Sequence, residues 1–101
     1  MVEFIEQHRE EIAALCGRYG LRKLELFGSA ASGRFDPGTS DVDLIYEFND
    51  DLTSLFDRFF GLVEDLERLL GRKVDLVSSQ DVRNPYFLQV ANQHRITLYA
   101  A

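Results

Sequence analysis

LRKLELFGSAASGRFDPGTSDVDLIYEF, residues 21–48, holds two strand-like runs on either side of a turn-rich interval. In DVDLIYEF (41–48), alternation places Val42, Leu44, Tyr46 and Phe48 on one face of a strand and Asp41 and Asp43 on the other. At a rise of about 3.4 Å per residue, these carboxylates stand roughly 6–7 Å apart along the strand. That spacing suits two side chains converging on one magnesium ion or a close pair of ions. Upstream, LRKLELF (21–27) reads as a strand that stops at Gly28 and Ser29, ahead of the small residues Ala30 and Ala31. A strand, a sharp turn and a short helix are expected. Gly28 lacks a Cβ and lets backbone approach a ligand closely, while free N–H groups at the helix start and the Ser29 hydroxyl can bind phosphate oxygens. Carboxylates and a polyphosphate repel, and a divalent cation between them removes that conflict.

Each half of this pattern is weak alone. Asp41 and Asp43 could be solvent-facing acids that protect an edge strand from pairing. Against that, like charges two apart on one face repel, the Gly-Ser turn lies thirteen positions upstream, and DPGTS (36–40) is built to turn. The joined pattern points to a nucleotide-transfer site.

The same residues resemble the minimal nucleotidyltransferases of the DNA polymerase beta superfamily, in particular the antitoxins paired with HEPN-domain toxins. The resemblance is carried by LFGSAASG (26–33), FDPGTS (35–40), DVDLIYEF (41–48), KVDLVS (73–78), NPYF (84–87) and LYAA (98–101), nearly the whole chain after the first helix. It implies an α+β fold, a small mixed β-sheet with helices packed on it. The family's Gly-Ser pair, Asp-x-Asp and later acidic residue map to Gly28, Ser29, Asp41, Asp43 and Asp75. By resemblance, Asp41, Asp43 and Asp75 are the catalytic, metal-holding acids, and Gly28, Ser29 and Ser40 contact the nucleotide phosphates. One departure stands out: Ser32 precedes Gly33 where many members carry a basic residue.

The activity implied is transfer of AMP from ATP, with magnesium, to a hydroxyl of a cognate HEPN toxin, the acceptor being a tyrosine. Asp75 would complete a second metal site or accept the hydroxyl proton. A different class of reading is an antitoxin that neutralises its partner by binding alone. A third is a subunit that needs a separate substrate-binding chain.

Composition bounds the setting. The 101 residues, 46% hydrophobic, suffice for one domain spanning 1–101 with a core, and leave no material for a second lobe. A formal net charge of −6 disfavours tight binding to long DNA or RNA, which needs clustered Lys and Arg. A single cysteine, Cys16, rules out an internal disulfide and reads as packing in a helical stretch. No run approaches a membrane span, and MVEFIEQHREE is unlike a signal peptide, so a cytoplasmic location is expected.

Two long helices are expected. The first runs from about residue 2 to 18, with Ile5, His8, Ile12, Leu15 and Tyr19 as its apolar stripe and Gly20 as its stop. His8 is read as a packed, hydrogen-bonded side chain, with no carboxylate nearby in sequence to orient it as a base. The second runs from about Thr53 to Leu70, capped by Thr53 or Asp51 and ended at Gly71, with Arg68, Arg72 and Lys73 near its negative end. Phe56 and Phe59 are expected in the core, with Phe60 reaching past its edge toward a partner. KVDLV (73–77) reads as a strand whose Asp75 is, on residues alone, a surface acid or an ion pair with Lys73. PYFLQVANQ, capped by Asn84, should form a short helix, and ITLY a final strand at the sheet edge.

Overall fold

A computed structural model describes residues 3–32, 41–81 and 95–101. In chain order the elements are α1 (Glu3–Gln7), α2 (Arg9–Arg18), β1 (Leu21–Phe27), α3 (Ser29–Ser32), β2 (Val42–Phe48), α4 (Leu55–Leu70), β3 (Val74–Ser78) and β4 (Ile96–Ala100). The strands form one sheet in the order β3-β2-β1-β4. β1 pairs antiparallel with β2 and with β4, whereas β2 and β3 run parallel and are joined through α4. A parallel pair needs a long crossover, and α4 supplies it. This is the mixed, helix-backed sheet that the sequence implies.

Alternation sorts the sheet into two faces. Leu24, Leu26, Val42, Leu44, Val74 and Leu98 are buried and pack with Ile5, Ile12 and Cys16 of α1 and α2 and Leu62, Leu66 and Leu70 of α4. Burying a Leu or Ile side chain in such a layer contributes about 1.5–3 kcal/mol each. On the opposite face stand Glu25, Phe27, Asp43, Ile45 and Asp75, as the pairings Glu25↔Ile45, Phe27↔Asp43 and Asp43↔Asp75 require. Cys16 is fully buried, and burial pushes its thiol up to about 12, in keeping with a packing role.

Two helices depart from expectation at their starts. The first is broken at His8, whose backbone (φ −105°, ψ 14°) leaves the helical region. His8 Nδ1 lies 2.6 Å from Glu11 Oε2, so a carboxylate one turn ahead does orient this ring. Ile5 and Ile12 stay buried on either side, so the apolar stripe survives the break. The second helix begins at Leu55 and not Thr53, because Ser54 takes a left-handed conformation (φ 54°, ψ 34°) and makes no side-chain cap. Asp51 instead accepts from Thr53 N at 2.9 Å and Thr53 Oγ1 at 2.7 Å, fixing the turn ahead of the helix.

The end of α4 is as expected at Gly71 (φ 68°), whose N–H donates to the Glu67 carbonyl at 2.8 Å. Arg68 pairs with Glu64 and Asp65, while Arg72 stacks over the Phe4 ring at 4.4 Å, tying α4's exit to α1. The helix expected over PYFLQVANQ lies outside the described residues. No helix among the described residues is long and apolar enough to cross a membrane.

Candidate active site

β2 is an interior strand, paired on both sides, so the edge-protection account of its acids does not apply. Parallel pairing sets Asp43 directly beside Asp75, two residues far apart in the chain. Their carboxyl groups come within hydrogen-bonding reach of each other. Asp41 lies just ahead of β2, half-buried, and adds its charge to the same neighbourhood. Burial first, then the charges of Asp75 and Asp41, then the shared hydrogen bond push the Asp43 carboxyl up to about 6. Asp43 is half-buried and Asp75 exposed, so the pair presents one inner and one outer acid.

Gly28 closes the site from the β1 side. It follows Phe27, the cross-strand partner of Asp43, and takes φ +72°. A Cβ there would stand 2.6 Å from Asp43 Oδ2, so an L side chain would be strained by conformation and would push the carboxylate aside. Beyond the turn, Ala31 N donates to the Gly28 carbonyl at 3.2 Å and α3 begins at Ser29. The strand, sharp turn and short helix read from LRKLELFGSAAS are therefore present. Ser40 lies outside the described residues.

Three carboxylates crowded on one face, one carrying a raised pKa, make a region of negative potential built from hard oxygen donors. That donor chemistry fits a divalent cation of the magnesium type. Among the described residues no group of three or more His, Cys, Asp or Glu side chains is gathered closely enough to hold a metal ion as it stands, so a bound cation would draw the carboxylates together.

A second charged feature on this face was missed in the sequence. Glu25, only 6% exposed, is held by Arg95 through two hydrogen bonds, Nε to Oε2 at 2.7 Å and Nη2 to Oε1 at 2.6 Å. Lys23 Nζ stands 3.7 Å from the same carboxylate. Such a bidentate pair is a geometrically specific anchor between β1 and the start of β4. The available signal was a glutamate set between Leu24 and Leu26 in a strand-like run.

Comparison with known proteins places this arrangement in context. A family model described as nucleotidyltransferase domain matches residues 5–98. A candidate protein adenylyltransferase of Methanocaldococcus jannaschii is 34% identical over 84 residues, covering 83% of this chain and 80% of that protein. The protein adenylyltransferase MntA of Thermococcus cleftensis is 36% identical over 77 residues, covering 76% of this chain and 72% of that one. Among solved structures, one of a candidate minimal nucleotidyltransferase superposes with a TM-score of 0.76 at 32% identity, covering 93% of this chain and 92% of the other. The fold is also shared, at 20% identity, a TM-score of 0.64 and coverage of 95% and 72%, with a chain from the complex of a tri-AMPylated Shewanella oneidensis HEPN toxin and its MNT antitoxin. This chain belongs to the nucleotidyltransferase domain family, in its minimal form.

Proposed function

We propose that this chain is the antitoxin of a HEPN toxin pair and acts as a protein adenylyltransferase, moving AMP from ATP to a tyrosine hydroxyl of the toxin. The observation that carries the reading is the meeting of Asp43 and Asp75 beside Gly28, which unites both halves of the sequence pattern. Relatives named as protein adenylyltransferases support the reaction class, and the fold shared with the MNT antitoxin of an AMPylated HEPN toxin supports the partner.

In this reading Asp41 and Asp43 hold magnesium, and Asp75 completes a second metal site or serves as the proton acceptor. The cation, when bound, offsets charge on the triphosphate and polarises the phosphorus under attack. The protein's own groups do the rest. Backbone N–H groups around Gly28 and Ser29, with Ser40, hold the phosphates that will leave. The tyrosine oxygen forms a bond to the α-phosphorus while the bond from that phosphorus to the bridging oxygen breaks, and pyrophosphate departs with the electron pair. The phenolic proton passes to a carboxylate, and Asp75 is suited to take it because it is the exposed member of the pair.

The test is the intact mass of the cognate HEPN toxin that this reading requires, after incubation with a trace of this chain, ATP and magnesium. One or more AMP units should appear with wild type and none with Asp41→Asn. A stable complex with no mass gain would sink transfer and leave neutralisation by binding.

A further inference from the structure

α4 does not bury its whole apolar stripe. Phe56 is 75% exposed, Phe60 52% and Leu55 36%, and Leu52 in the preceding turn is 72% exposed. Clustered large side chains left in water mark an interaction surface more often than isolated ones do. These are arranged, not loose. Ring contacts run from Tyr46 through Phe59 to Phe60 and on to Phe56, with centroid spacings of 5.5, 5.2 and 4.6 Å. They flank a groove of about 690 Å³ between α4 and the far end of β2.

The turn that presents Leu52 is held deliberately. Ser54 sits in the left-handed region, at a cost of about 1–2 kcal/mol for a residue other than glycine. Arg58 keeps it there, donating through Nη1 to the Asp51 carbonyl at 2.7 Å and the Thr53 carbonyl at 2.9 Å. The other guanidinium nitrogens reach the Tyr19 and Gly20 carbonyls, and the group lies over Phe48 at 4.5 Å. The cation in this region is thus turned inward. Among the described residues, Asp51, Asp57 and Asp81 are exposed acids of this region, Asp50 is paired with Arg22, and Glu47 is the charged side chain lining the groove.

We propose that Leu52, Leu55, Phe56 and Phe60 dock a helix of the protein acceptor whose apolar stripe is flanked by Lys and Arg. The acidic rim selects that chemistry and disfavours a second copy of this chain, which would set acid against acid and add −6 to −6. The patch lies at the end of β2 away from Asp43, about 17 Å along the strand for five residues. A docked helix therefore leaves the carboxylates open to the acceptor hydroxyl. The inference rests on the proposed function for its partner, the toxin that is modified.

The test measures affinity for the cognate HEPN toxin by calorimetry, and kcat and KM of AMP transfer, for the full chain and for a Phe56→Ser, Phe60→Ser double variant. Removing two aromatic anchors should weaken binding about thirtyfold and raise KM in step, with kcat at saturating toxin and the melting temperature near wild type. Leu52→Ser, outside the helix, should weaken binding about fivefold and serves if the double variant misfolds. Asp57→Lys should weaken binding about threefold at low salt, a difference that fades at about 0.5 M salt. Wild-type affinity and KM in the folded double variant or Leu52→Ser would overturn the docking site while leaving transfer intact. A wild-type dimer that the double variant dissociates would assign the patch to self-association and overturn it. Wild type that neither binds nor modifies the toxin would overturn the proposed function and this inference together.

Discussion

The two ends of β2 are held by opposite physics. At its start, the half-buried Asp43 stands beside the exposed Asp75 with the charge of Asp41 nearby, closed in by a glycine whose Cβ would clash with Asp43. At its finish, Tyr46 and Phe48 lie in an aromatic layer with Phe59, pinned by the Arg58 guanidinium. The first end opposes folding and is tolerated because the interior of the same strand, Leu44 and Ile45, is fully buried. The second contributes stability and then continues outward as exposed apolar surface. Chemistry sits where repulsion is stored, and recognition where packing runs past the sheet.

The largest test of that contrast is at the acidic end. Asp41→Asn should lower AMP transfer by about a thousandfold or more while the protein stays folded, measured as nucleotide incorporated into the toxin. A folded variant with undiminished transfer would remove Asp41 from the site. Gly28→Ala forces a side chain into φ +72° and against Asp43 Oδ2, so transfer should fall about a hundredfold, with about 1–2 kcal/mol lost in denaturant unfolding. If Gly28→Ala is silent in both assays, the close approach at this turn has no function.

Smaller effects separate charge from packing. Arg95→Met leaves the Glu25 carboxylate, 6% exposed, without its bidentate partner; unfolding free energy should drop by about 2–3 kcal/mol, and a drop below about 0.5 kcal/mol would mean Lys23 suffices.

For Asp43 the sign runs the other way. Folding raises its pKa from 3.8 to about 6, so its favourable contribution is complete below pH 3.8 and is lost as pH rises through 6. Asp43→Asn should therefore melt higher than wild type at pH 8 without metal, by about 1 kcal/mol after allowance for solvent screening of a half-buried group. The two proteins should converge near pH 3.5, and magnesium should raise the wild-type midpoint more than the variant's. A variant less stable than wild type at pH 8 would contradict the crowding. The smallest effect is at Cys16: buried, with its thiol pushed up to about 12, it should resist iodoacetamide at pH 8 until the protein unfolds.

Much of the fold was legible because period and punctuation agree. β1 spans the residues that alternation gives, β2 begins one residue later than its motif, and α4 ends at the glycine that permits a left-handed exit. The pairing of Asp43 with Asp75 came from family resemblance, since periodicity sets a residue's face within one strand and is silent on register between strands. Local turn chemistry was the weak point. Nothing in the spacing of Ile5, His8 and Ile12 announces a break at His8, and Ser54 enters a conformation that favours glycine because Arg58, four residues on, binds the neighbouring carbonyls. Phe56 reads as core in the sequence because its stripe is continuous with Phe59 and Leu62, yet it is 75% exposed. A stripe reports which way a side chain points, but what covers it depends on where the sheet ends.

The parallel pairing of β2 with β3 also bears on how the protein is made. A nascent chain that has emerged only through α4 carries the Gly28 turn and two of the three acids, but Asp43 has no carboxyl neighbour across the sheet. Asp75 arrives with β3, and β1 still has an open side until Ile96–Ala100 pairs with it. Long-range pairing of this kind forms late and slowly. On the ribosome the complete acid set therefore appears after the helix that presents Phe56 and Phe60, so the proposed docking face precedes the proposed chemistry in the order of synthesis.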